Sequence, residues 1–504
     1  MTNVLRSVAG TVRGRNLAPV AGALSASAAW AQLSGGANVN ISRQSGEQSE
    51  GAIAINPTNP QNLFALYNDL SGGMRGAVSF NGGATWTTRA VGPGSDGLSA
   101  SIGDPSVCFD NFGNLFLGHL TSSGIGTQVG LSTNGGVSFS TLTTIALSTD
   151  QPTVTAGVGA VWVTMNNSSG QRLSGAAVTG LGAAGAFSAL SAVAPGSNSG
   201  ISGSFGGICI GPSGQGAIVY QNANSGQGPD SIYFNLDADG LGAGAMGPRS
   251  TITATNVGGF DFLPAQPSRS IDAEAGLAWD RTGGLRNGRM YLVYTDETVN
   301  ENNDMDIMFR YSDTNGTSWS APVRLNDDAT TRSQFLPRIS IDPASGHLAV
   351  AWYDCRNDPA NTLAQIWGTA SMDGGATWIR NVRISAGTSS AVGGNSFDYG
   401  DYTGLAMYND VFYPIWADNS NATGDNPNGA GGAMDVYTAR VALCYPNCDN
   451  STAAPVLNVN DFVCFLSAML FGNGYANCDG STTPPVLNVS DFNCFLNRFA
   501  QGCS

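Results

Sequence analysis

The segment Ser371-Met372-Asp373-Gly374-Gly375-Ala376-Thr377-Trp378 decides the fold of this chain. In such a segment the carboxylate can accept hydrogen bonds from backbone N–H groups of its own turn, and glycine permits a positive φ. The tryptophan offers an apolar ring to a neighbouring sheet. A nearly complete copy occupies residues 79–86, with Asn81 in place of the aspartate, and weaker copies occupy residues 132–139 and 312–319. This recurrence predicts equivalent hairpins in a repeated unit.

Each hairpin belongs to a longer unit of two alternating apolar strands joined by a turn and followed by a polar loop. Seven copies can be aligned. Their first strands are expected at residues 51–56, 104–110, 150–156, 206–211, 276–280, 337–342 and 402–408. This spacing is typical of one four-stranded blade per copy. The sequence therefore predicts an all-β fold over residues 32–442, a seven-bladed β-propeller, with six blades as the alternative.

The last copy contains only a third strand, at residues 434–441, before a cysteine-rich segment begins. An open blade would leave unpaired backbone groups at a sheet edge. We therefore expect residues 37–42 to supply the missing fourth strand and close the ring.

Composition excludes some classes of function. Acidic residues number 36 against 21 basic ones, all arginine, for a formal charge of -15. Nucleic acid binding needs a basic face, so we expect no nucleic acid partner. Only His119 and His347 could supply an imidazole. After the N-terminus no segment is apolar over the roughly 18 residues of a membrane span, so we expect no transmembrane segment. We also expect the propeller to be a monomer.

Residues 1–31 have the pattern of an export signal peptide. Arginines precede a small apolar run at residues 17–28, and Ala29-Trp30-Ala31 is a cleavage site of the A-x-A kind. This pattern predicts a secreted or cell-surface protein, which agrees with its use of cysteine. The alternative is a disordered cytosolic tail.

One face of the predicted propeller concentrates charged and tyrosine side chains. Strand direction alternates within a blade, so residues before first strands and residues after second strands lie on the same face. The members of this set include Arg43, Glu50, Asp104, Asp150, Arg269, Asp272, Glu274, Arg338, Asp354, Arg356, Asp401 and Tyr402. Such side chains at the mouth of a central channel suit a glycan or a carboxylate ligand. For residues 352–358, a local ion pair that stabilises the loop is the alternative.

The Ser-x-Asp-x-Gly-x-Thr-Trp hairpins are Asp-boxes, and the chain resembles the sialidase (neuraminidase) superfamily of BNR-repeat propellers. The resemblance implies Tyr402 as the nucleophile, paired with Glu274 or Glu297, and Asp104 as the acid. It also implies substrate contacts from Arg43, Arg338, Arg356, Asp354 and Asp401. The implied function is an exo-glycosidase that releases terminal sialic or related acidic sugars from extracellular glycans or glycoproteins.

Two alternatives to the sialidase interpretation stay open. One is a non-catalytic propeller that binds glycan or protein and is displayed through its C-terminal tail. The other is a polysaccharide lyase, with His119 or Tyr402 as the base near an arginine-bound uronate.

The tail, residues 443–504, repeats with a period of 30 residues, so that Cys448 recurs as Cys478 and Cys464 as Cys494. In each copy an oxygen-rich loop ends in an aspartate before an amphipathic helix, an arrangement that suits a hard cation. Six cysteines allow several pairings. The expected pairs are Cys444–Cys503, Cys448–Cys464 and Cys478–Cys494.

This duplicated pattern resembles a dockerin. The resemblance implies a disulfide-rich α module with a cohesin-like or surface partner, and calcium as its cofactor. The implied calcium ligands are Asn447, Asp449, Ser451, Asn458 and Asp461 in the first copy, and Asn477, Asp479, Ser481, Asn488 and Asp491 in the second. A disulfide knot without metal is the alternative.

Overall fold

The computed structural model describes residues 32–122, 126–193, 203–244, 246–394, 397–449, 455–478, 481 and 484–502. Seven four-stranded antiparallel blades surround a central channel, with the first strand of each blade innermost. The predicted seven-bladed propeller is therefore confirmed, and the six-bladed alternative is wrong. The predicted signal peptide, residues 1–31, lies outside the described residues.

Blades 1 to 7 are numbered in chain order. Their strands, in spatial order from the channel outward, are as follows. Blade 1 contains Gln48–Ile55, Leu63–Asp69, Gly73–Ser79 and Thr87–Val91; blade 2, Ser101–Phe109, Leu115–Thr121, Thr127–Ser132 and Ser140–Ile145. Blade 3 contains Asp150–Gly157, Ala160–Asn167, Gly170–Ala177 and Ser191–Ala192; blade 4, Gly203–Ile210, Gly216–Asn222, Asp230–Asp237 and Ser250–Thr255.

Blade 5 contains Gly276–Trp279, Met290–Glu297, Met305–Ser312 and Val323–Arg324. Blade 6 contains Gln334–Ile341, Leu348–Asp354, Leu363–Ser371 and Val382–Arg383, with Ser389–Ser390 also paired to its third strand. Blade 7 contains Gly404–Tyr408, Val411–Asp418, Asp435–Cys444 and Gln32–Asn40. A separate hairpin, Asp261–Leu263 with Gln266–Ile271, lies between blades 4 and 5 in the chain. Two single-turn 3₁₀ helices cover Ala223–Ser225 and Gly474–Ala476.

The ring closes through the N-terminal strand, as predicted. Gln32–Asn40 runs antiparallel to Asp435–Cys444, with Gln32 opposite Cys444 and Asn40 opposite Tyr437. The closing strand starts earlier than the expected residues 37–42, and its partner extends past residue 441. Blade 7 is thus built from both ends of the propeller sequence, and its third strand is paired on both sides.

The repeated hairpins have the hydrogen bonds that their residue types predict. In blade 6 the carboxylate of Asp373 accepts the backbone N–H of Thr377 at 2.8 Å, and the Ser371 hydroxyl accepts that of Gly375 at 2.8 Å. The Trp378 ring packs edge-on against Phe309 of blade 5, with ring centroids 4.9 Å apart. Gly375 has φ +86°, and a Cβ there would lie 2.4 Å from the Phe309 ring. Glycine is therefore required both by the turn and by the packing between blades.

The tail contains two helices, Val459–Leu470 and Val489–Gln501. Disulfides Cys448–Cys464 and Cys478–Cys494 confirm two of the expected pairs, and the third falls on Cys503, outside the described residues. Among those residues, none of the helices has the length and apolar character to cross a membrane.

The tail packs on the outer surface of the propeller. Arg498 of the second tail helix donates to the Asp410 carboxylate of blade 7 at 2.9 Å, and His347 of blade 6 lies 2.6 Å from the same carboxylate. Burial opposes ionisation of Asp410, but His347 and Arg498 outweigh burial and lower its pKa. The contacts of Asp410 with Arg498 and His347 therefore hold the second tail helix against blades 6 and 7.

Candidate functional site

The first strands bend where they reach one mouth of the channel. β-Bulges interrupt the first strands of blades 1, 2, 3, 4 and 6 just before the channel. At these bends Glu50 has φ 53° and Asp104 has φ 56°, and Glu274 of blade 5 has φ 43°. Tyr402 occupies the corresponding position of blade 7, two residues before Gly404. Non-glycine residues in left-handed backbone are costly and concentrate at functional sites, where a bulge re-aims a side chain.

One step further into the channel, six blades carry small residues at the same register position. The exception is Arg338 of blade 6, opposite Ala351, where the other blades have Ala52, Ser106, Thr153, Gly207, Gly276 and Gly404. Arg338, Glu274 and Tyr402 all line the channel, whose space is about 900 Å³ including solvent at its mouth. The Arg338 guanidinium donates to Glu274 at 2.9 Å. A single arginine therefore projects into an otherwise small-residue ring.

A second arginine belongs to the rim of the channel and is held by two carboxylates. Arg269 forms a bidentate ion pair with Asp401 and lies 3.2 Å from Glu50. Glu50 is 1% exposed, and it accepts the backbone N–H of Asp401 at 3.1 Å and an amide hydrogen bond from Asn68. The positive charge of Arg269 is therefore already neutralised by the protein.

The carboxyl groups at this mouth hold their protons unusually tightly. Burial, and then the charge of Asp401, raises the pKa of Glu50 to about 8. Burial raises the pKa of Glu274 to about 7, although Arg338 opposes the shift. Burial, together with Glu50 and Asp150, raises the pKa of Asp104 well above its ordinary value. Carboxylic acids that stay protonated near neutrality, next to carboxylates that ionise, supply acid and base partners.

Tyr402 is half-buried among these groups. Burial raises the pKa of its phenol well above the usual value, and the charges of Asp104 and Glu50 add to the shift. The phenol is thus neutral at physiological pH. It can donate a hydrogen bond, or it can attack a substrate if a neighbouring carboxylate removes its proton.

The structure brings together Tyr402, Glu274, Asp104, Asp401 and Arg338, but it gives two other predicted contacts different partners. Arg43 is exposed and forms an ion pair with Asp425 at 2.8 Å. Arg356 is largely buried and forms ion pairs with Asp354 and Asp327, both at 2.8 Å. Neither of these arginines lines the channel. The Arg356–Asp354 pair has the local, loop-stabilising geometry of the alternative interpretation.

Two further candidates serve the structure elsewhere. The Glu297 carboxylate accepts the backbone N–H groups of Glu301 at 2.6 Å and Asn303 at 2.9 Å, which holds the following loop. His119 is fully buried in blade 2, where its ring contacts Gln128 at 3.1 Å, and burial lowers its pKa. Glu274, rather than Glu297, is therefore the carboxylate beside Tyr402, and His119 is not placed to act on a ligand.

Sequence reasoning placed Glu50, Arg269 and Asp272 on the correct face without giving them a role. It missed Asn68, which donates to Glu50 and whose amide oxygen accepts the backbone N–H of Asp104 at 3.1 Å. It also missed the hairpin between blades 4 and 5. The signal for the hairpin was the unusually long interval between two expected first strands, at residues 206 and 276.

The expected calcium loops of the tail offer oxygen ligands in part. In the first loop the Asp461 carboxylate accepts the backbone N–H of Asn458 at 2.8 Å, as a helix-capping box, and that of Asp449 at 3.2 Å. Burial raises the pKa of Asp461, and the neighbouring Asp449 charge adds to the shift. In the second loop the Asn477 amide oxygen is buried without a hydrogen-bond partner. Each loop thus offers oxygen atoms of the kind that calcium takes as ligands, two neighbouring carboxylates in the first loop and a buried amide oxygen in the second.

The remaining predicted ligands are placed as follows. Asn488 and Asp491 form the same capping box on the second tail helix, and the Ser481 hydroxyl donates to the backbone carbonyl of Val486 at 3.0 Å. Asn447 is fully buried. Ser451 and Asp479 lie outside the described residues. Within the described part of the chain no group of three or more His, Cys, Asp and Glu side chains is arranged around a metal position, so calcium binding stays a prediction that rests on mixed carboxylate and amide ligands.

Comparison with known proteins gives likeness at the level of structure. No family model matches the chain, and no curated protein matches it. Among solved structures, the chain is similar to a GH93 α-L-arabinofuranosidase of Fusarium graminearum, at 13% identity and TM-score 0.42, covering 81% of this chain and 98% of that one. It is also similar to a PL25 ulvan lyase, at 9% identity and TM-score 0.46, covering 79% and 95%.

A Hadza microbial sialidase is a third similar structure, at 13% identity and TM-score 0.38, covering 78% of this chain and 65% of that one. These likenesses concern the path of the backbone alone.

Proposed function

We propose that the protein hydrolyses glycosidic bonds at the channel mouth that holds Tyr402, Glu274 and Asp104. The observation that carries this proposal is the placement of Tyr402 among carboxyl groups whose pKa values burial raises, that of Glu274 to about 7 and that of Asp104 well above its ordinary value. Glycoside hydrolysis needs a proton donor for the leaving oxygen and a nucleophile or base on the other side of the bond. The mouth supplies both, in a setting whose carboxylates accept hydrogen bonds from sugar hydroxyls.

The residues divide the work as follows. The protonated Asp104 gives its proton to the leaving oxygen as the glycosidic bond breaks, while Tyr402 bonds to the anomeric carbon and passes its phenolic proton to Glu274. Asp104, now ionised, then takes a proton from water, whose oxygen replaces Tyr402 on the sugar. Glu274 returns its proton to Tyr402, so one water is consumed and every group regains its starting state. Arg338 holds Glu274 in place through their 2.9 Å hydrogen bond.

The proposal is tested by assaying the full chain on a panel of aryl glycosides that contains a sialic acid conjugate and neutral sugars. The variants Tyr402→Phe, Glu274→Gln and Asp104→Asn should each lower kcat by roughly 10³-fold, the usual size of a lost acid, base or nucleophile. Matched controls are Tyr408→Phe, a tyrosine near the other end of the channel, and Glu301→Gln, an exposed glutamate.

Wild-type turnover that survives all three substitutions would refute the assignment. Release of sialic acid stays a prediction that the same panel decides. Of the three arginines that the resemblance implies as substrate contacts, only Arg338 lines the channel, so the carboxylate of a sialic acid would meet one of these guanidinium groups there.

Non-catalytic binding is the second candidate function. It is favoured by one observation: both arginines of the site are already paired with carboxylates of the protein. Binding of a glycan without turnover, lost in the same variants, would establish it.

We also propose that the tail docks the protein onto a surface partner. The first tail helix exposes an apolar stripe of Val459, Val463, Leu466 and Leu470, between 49% and 80% exposed. These residues recur every three or four positions and so lie on one face of the helix. A contiguous exposed apolar face of this kind marks an interaction site.

Retention of the full chain on envelopes of the producing cells tests the docking proposal. Val463→Asp should abolish retention, whereas Asn460→Asp, an exposed polar position of the same helix, should leave it intact. Equal retention of both variants would contradict the proposal.

A further inference from the structure

The hairpin between blades 4 and 5 stands beside the channel mouth. It consists of Asp261–Leu263 and Gln266–Ile271, and it forms a two-stranded sheet separate from the blades. Together with the rim of the channel it lines a groove of about 900 Å³, including open solvent. The hairpin contributes Arg269 to this groove, and the rim of the channel contributes Asp150, Asp272 and Asp401. The groove is therefore continuous with the site that holds Tyr402.

Two phenylalanines of the hairpin face this groove. Side chains alternate along the strand, with Asp261 and Leu263 buried, and Phe260 and Phe262 45% and 48% exposed. Phe260, directly before the strand, and Phe262 within it are two positions apart, and such positions lie on the same side of an extended chain. Both phenylalanines line the groove. Phenylalanine is usually buried, so two exposed rings on one side of a strand form an apolar surface that is open to a ligand.

The hairpin is held firmly in this position. The Gln266 amide donates to the backbone carbonyl of Gly400 at 3.0 Å. The backbone N–H of Phe260 donates to the backbone carbonyl of Gly226 at 2.8 Å. The carboxylate of Asp398 accepts the backbone N–H groups of Ser268 at 2.7 Å and Arg269 at 2.9 Å. Bonds to blades on both sides therefore fix the two rings relative to Tyr402 before any ligand arrives, which lowers the cost of binding.

The charge of the groove restricts what can bind there. Its acidic side chains outnumber its one arginine, Arg269, and that arginine is engaged by Asp401 and Glu50. An anionic ligand would find no free cation in this lining and would lie close to the carboxylates of Asp150 and Asp401, which is unfavourable at close range. A neutral, hydroxyl-rich ligand can instead donate hydrogen bonds to these carboxylates and place its C–H faces on the phenyl rings.

We propose that Phe260 and Phe262 form a platform for a neutral oligosaccharide, which extends from the channel mouth along the groove. This inference rests on the proposed action on glycans and goes beyond it by assigning the substrate class: a neutral chain of at least two sugar units, in place of a terminal acidic sugar. The two phenylalanines position the oligosaccharide and take no part in bond cleavage.

The experiment measures binding directly and so does not depend on turnover. Calorimetric titration of the full chain uses neutral hexasaccharides of glucose, mannose, xylose and arabinose, and as anionic probes a galacturonate hexasaccharide and sialyllactose. At least one neutral probe should bind more tightly than both anionic probes. Its dissociation constant should rise at least about tenfold in the Phe260→Ala/Phe262→Ala double variant, which corresponds to about 1.4 kcal/mol.

Two controls keep the result interpretable. Phe112→Ala removes an equally exposed phenylalanine from a different turn and should leave binding unchanged. Phe262→Leu keeps an apolar side chain without the ring and should weaken binding by less than the double variant. If the protein turns over aryl monosaccharides, the double variant should keep that kcat while its KM for the oligosaccharide rises.

Each outcome decides between the proposals. Tighter binding of the anionic probes, or unchanged affinity in the folded double variant, overturns the platform. Binding of neutral probes without any turnover keeps the platform and overturns the hydrolase. Binding of none of these glycan probes, together with no turnover, would overturn both.

Discussion

Deletion of the closing strand Gln32–Asn40 should open the propeller and cost the largest share of its stability of any short deletion. This strand forms seven register pairs with Asp435–Cys444. It also bridges to blade 6, where the Asn38 amide donates to the backbone carbonyl of Ile384 at 2.9 Å. Without it the third strand of blade 7 would present a row of unpaired backbone groups. At about 1 kcal/mol for each net hydrogen bond, the loss is about 5 kcal/mol or more.

The measurement compares two chains by urea unfolding and by gel filtration. One chain starts at residue 32 and the other at residue 41, so they differ only in the closing strand. We expect the shorter chain to unfold at lower urea concentration and to associate through its open edge. A synthetic peptide of residues 32–40 should restore stability in trans. Equal unfolding midpoints for the two chains would mean that the ring does not depend on this strand.

The architecture could be predicted because the same sequence pattern recurs once in each blade. Alternating apolar residues, turn glycines and the motif that ends at Trp378 recur at blade spacing, and a missing fourth strand in the last copy implies closure from the N-terminus. The same logic gave the pairs Cys448–Cys464 and Cys478–Cys494, because a duplicated segment has to satisfy its cysteines in the same way twice.

The candidate site could be predicted only as a face. The position of Tyr402, Glu274 and Asp104 follows from strand register, which the repeat fixes. The partners of arginines do not follow from register, because a long flexible side chain can reach any of several carboxylates. Arg43 thus pairs with Asp425 in a distant loop of blade 7, whereas Arg356 pairs with Asp354, two residues before it in the chain. Which charges remain available to a ligand is a property of the folded surface.

The hairpin between blades 4 and 5 shows the same limit in another form. Its sequence has no repeat partner, and its two exposed phenylalanines look like ordinary apolar strand residues until their neighbours are known. Only the fold shows that Asp261 is the inward residue of this strand and that the rings face the groove. Repetition shows where such a feature is inserted, through the long interval between residues 206 and 276, but not how it folds.

The stability of the protein should fall as pH rises from 5 to 8. Glu50 and Glu274 have pKa values of about 8 and about 7 in the folded protein, and burial likewise raises the pKa values of Glu47 and Asp261 to about 7. In the unfolded chain these groups return to ordinary values near 4. The folded protein therefore binds more protons than the unfolded chain throughout this interval, which makes unfolding more favourable with each pH unit.

The sign follows group by group. A carboxyl group whose folded pKa is raised contributes its stabilisation fully below its unfolded pKa and loses it as pH rises through the folded pKa. Asp410, whose pKa is lowered by His347 and Arg498 against the effect of burial, acts in the opposite sense and in a different interval. Its contribution is lost only as pH falls below the ordinary aspartate range. The stability maximum should therefore lie near pH 4, between the two intervals.

Urea unfolding at pH 5, 6, 7 and 8, with a chelator present, measures this slope. Because the groups near Tyr402 interact, their shifts do not add, and we expect a total loss of about 3 kcal/mol or more over the interval. Glu50→Gln should flatten the curve, since a neutral amide replaces the buried group that holds its proton to the highest pH. Asp313→Asn removes an exposed carboxylate that perturbs none of these four groups and should leave the slope unchanged. Stability that rises between pH 5 and 8 would show that these carboxyl groups are already ionised in the folded protein, and the raised pKa values on which the prediction rests would be wrong.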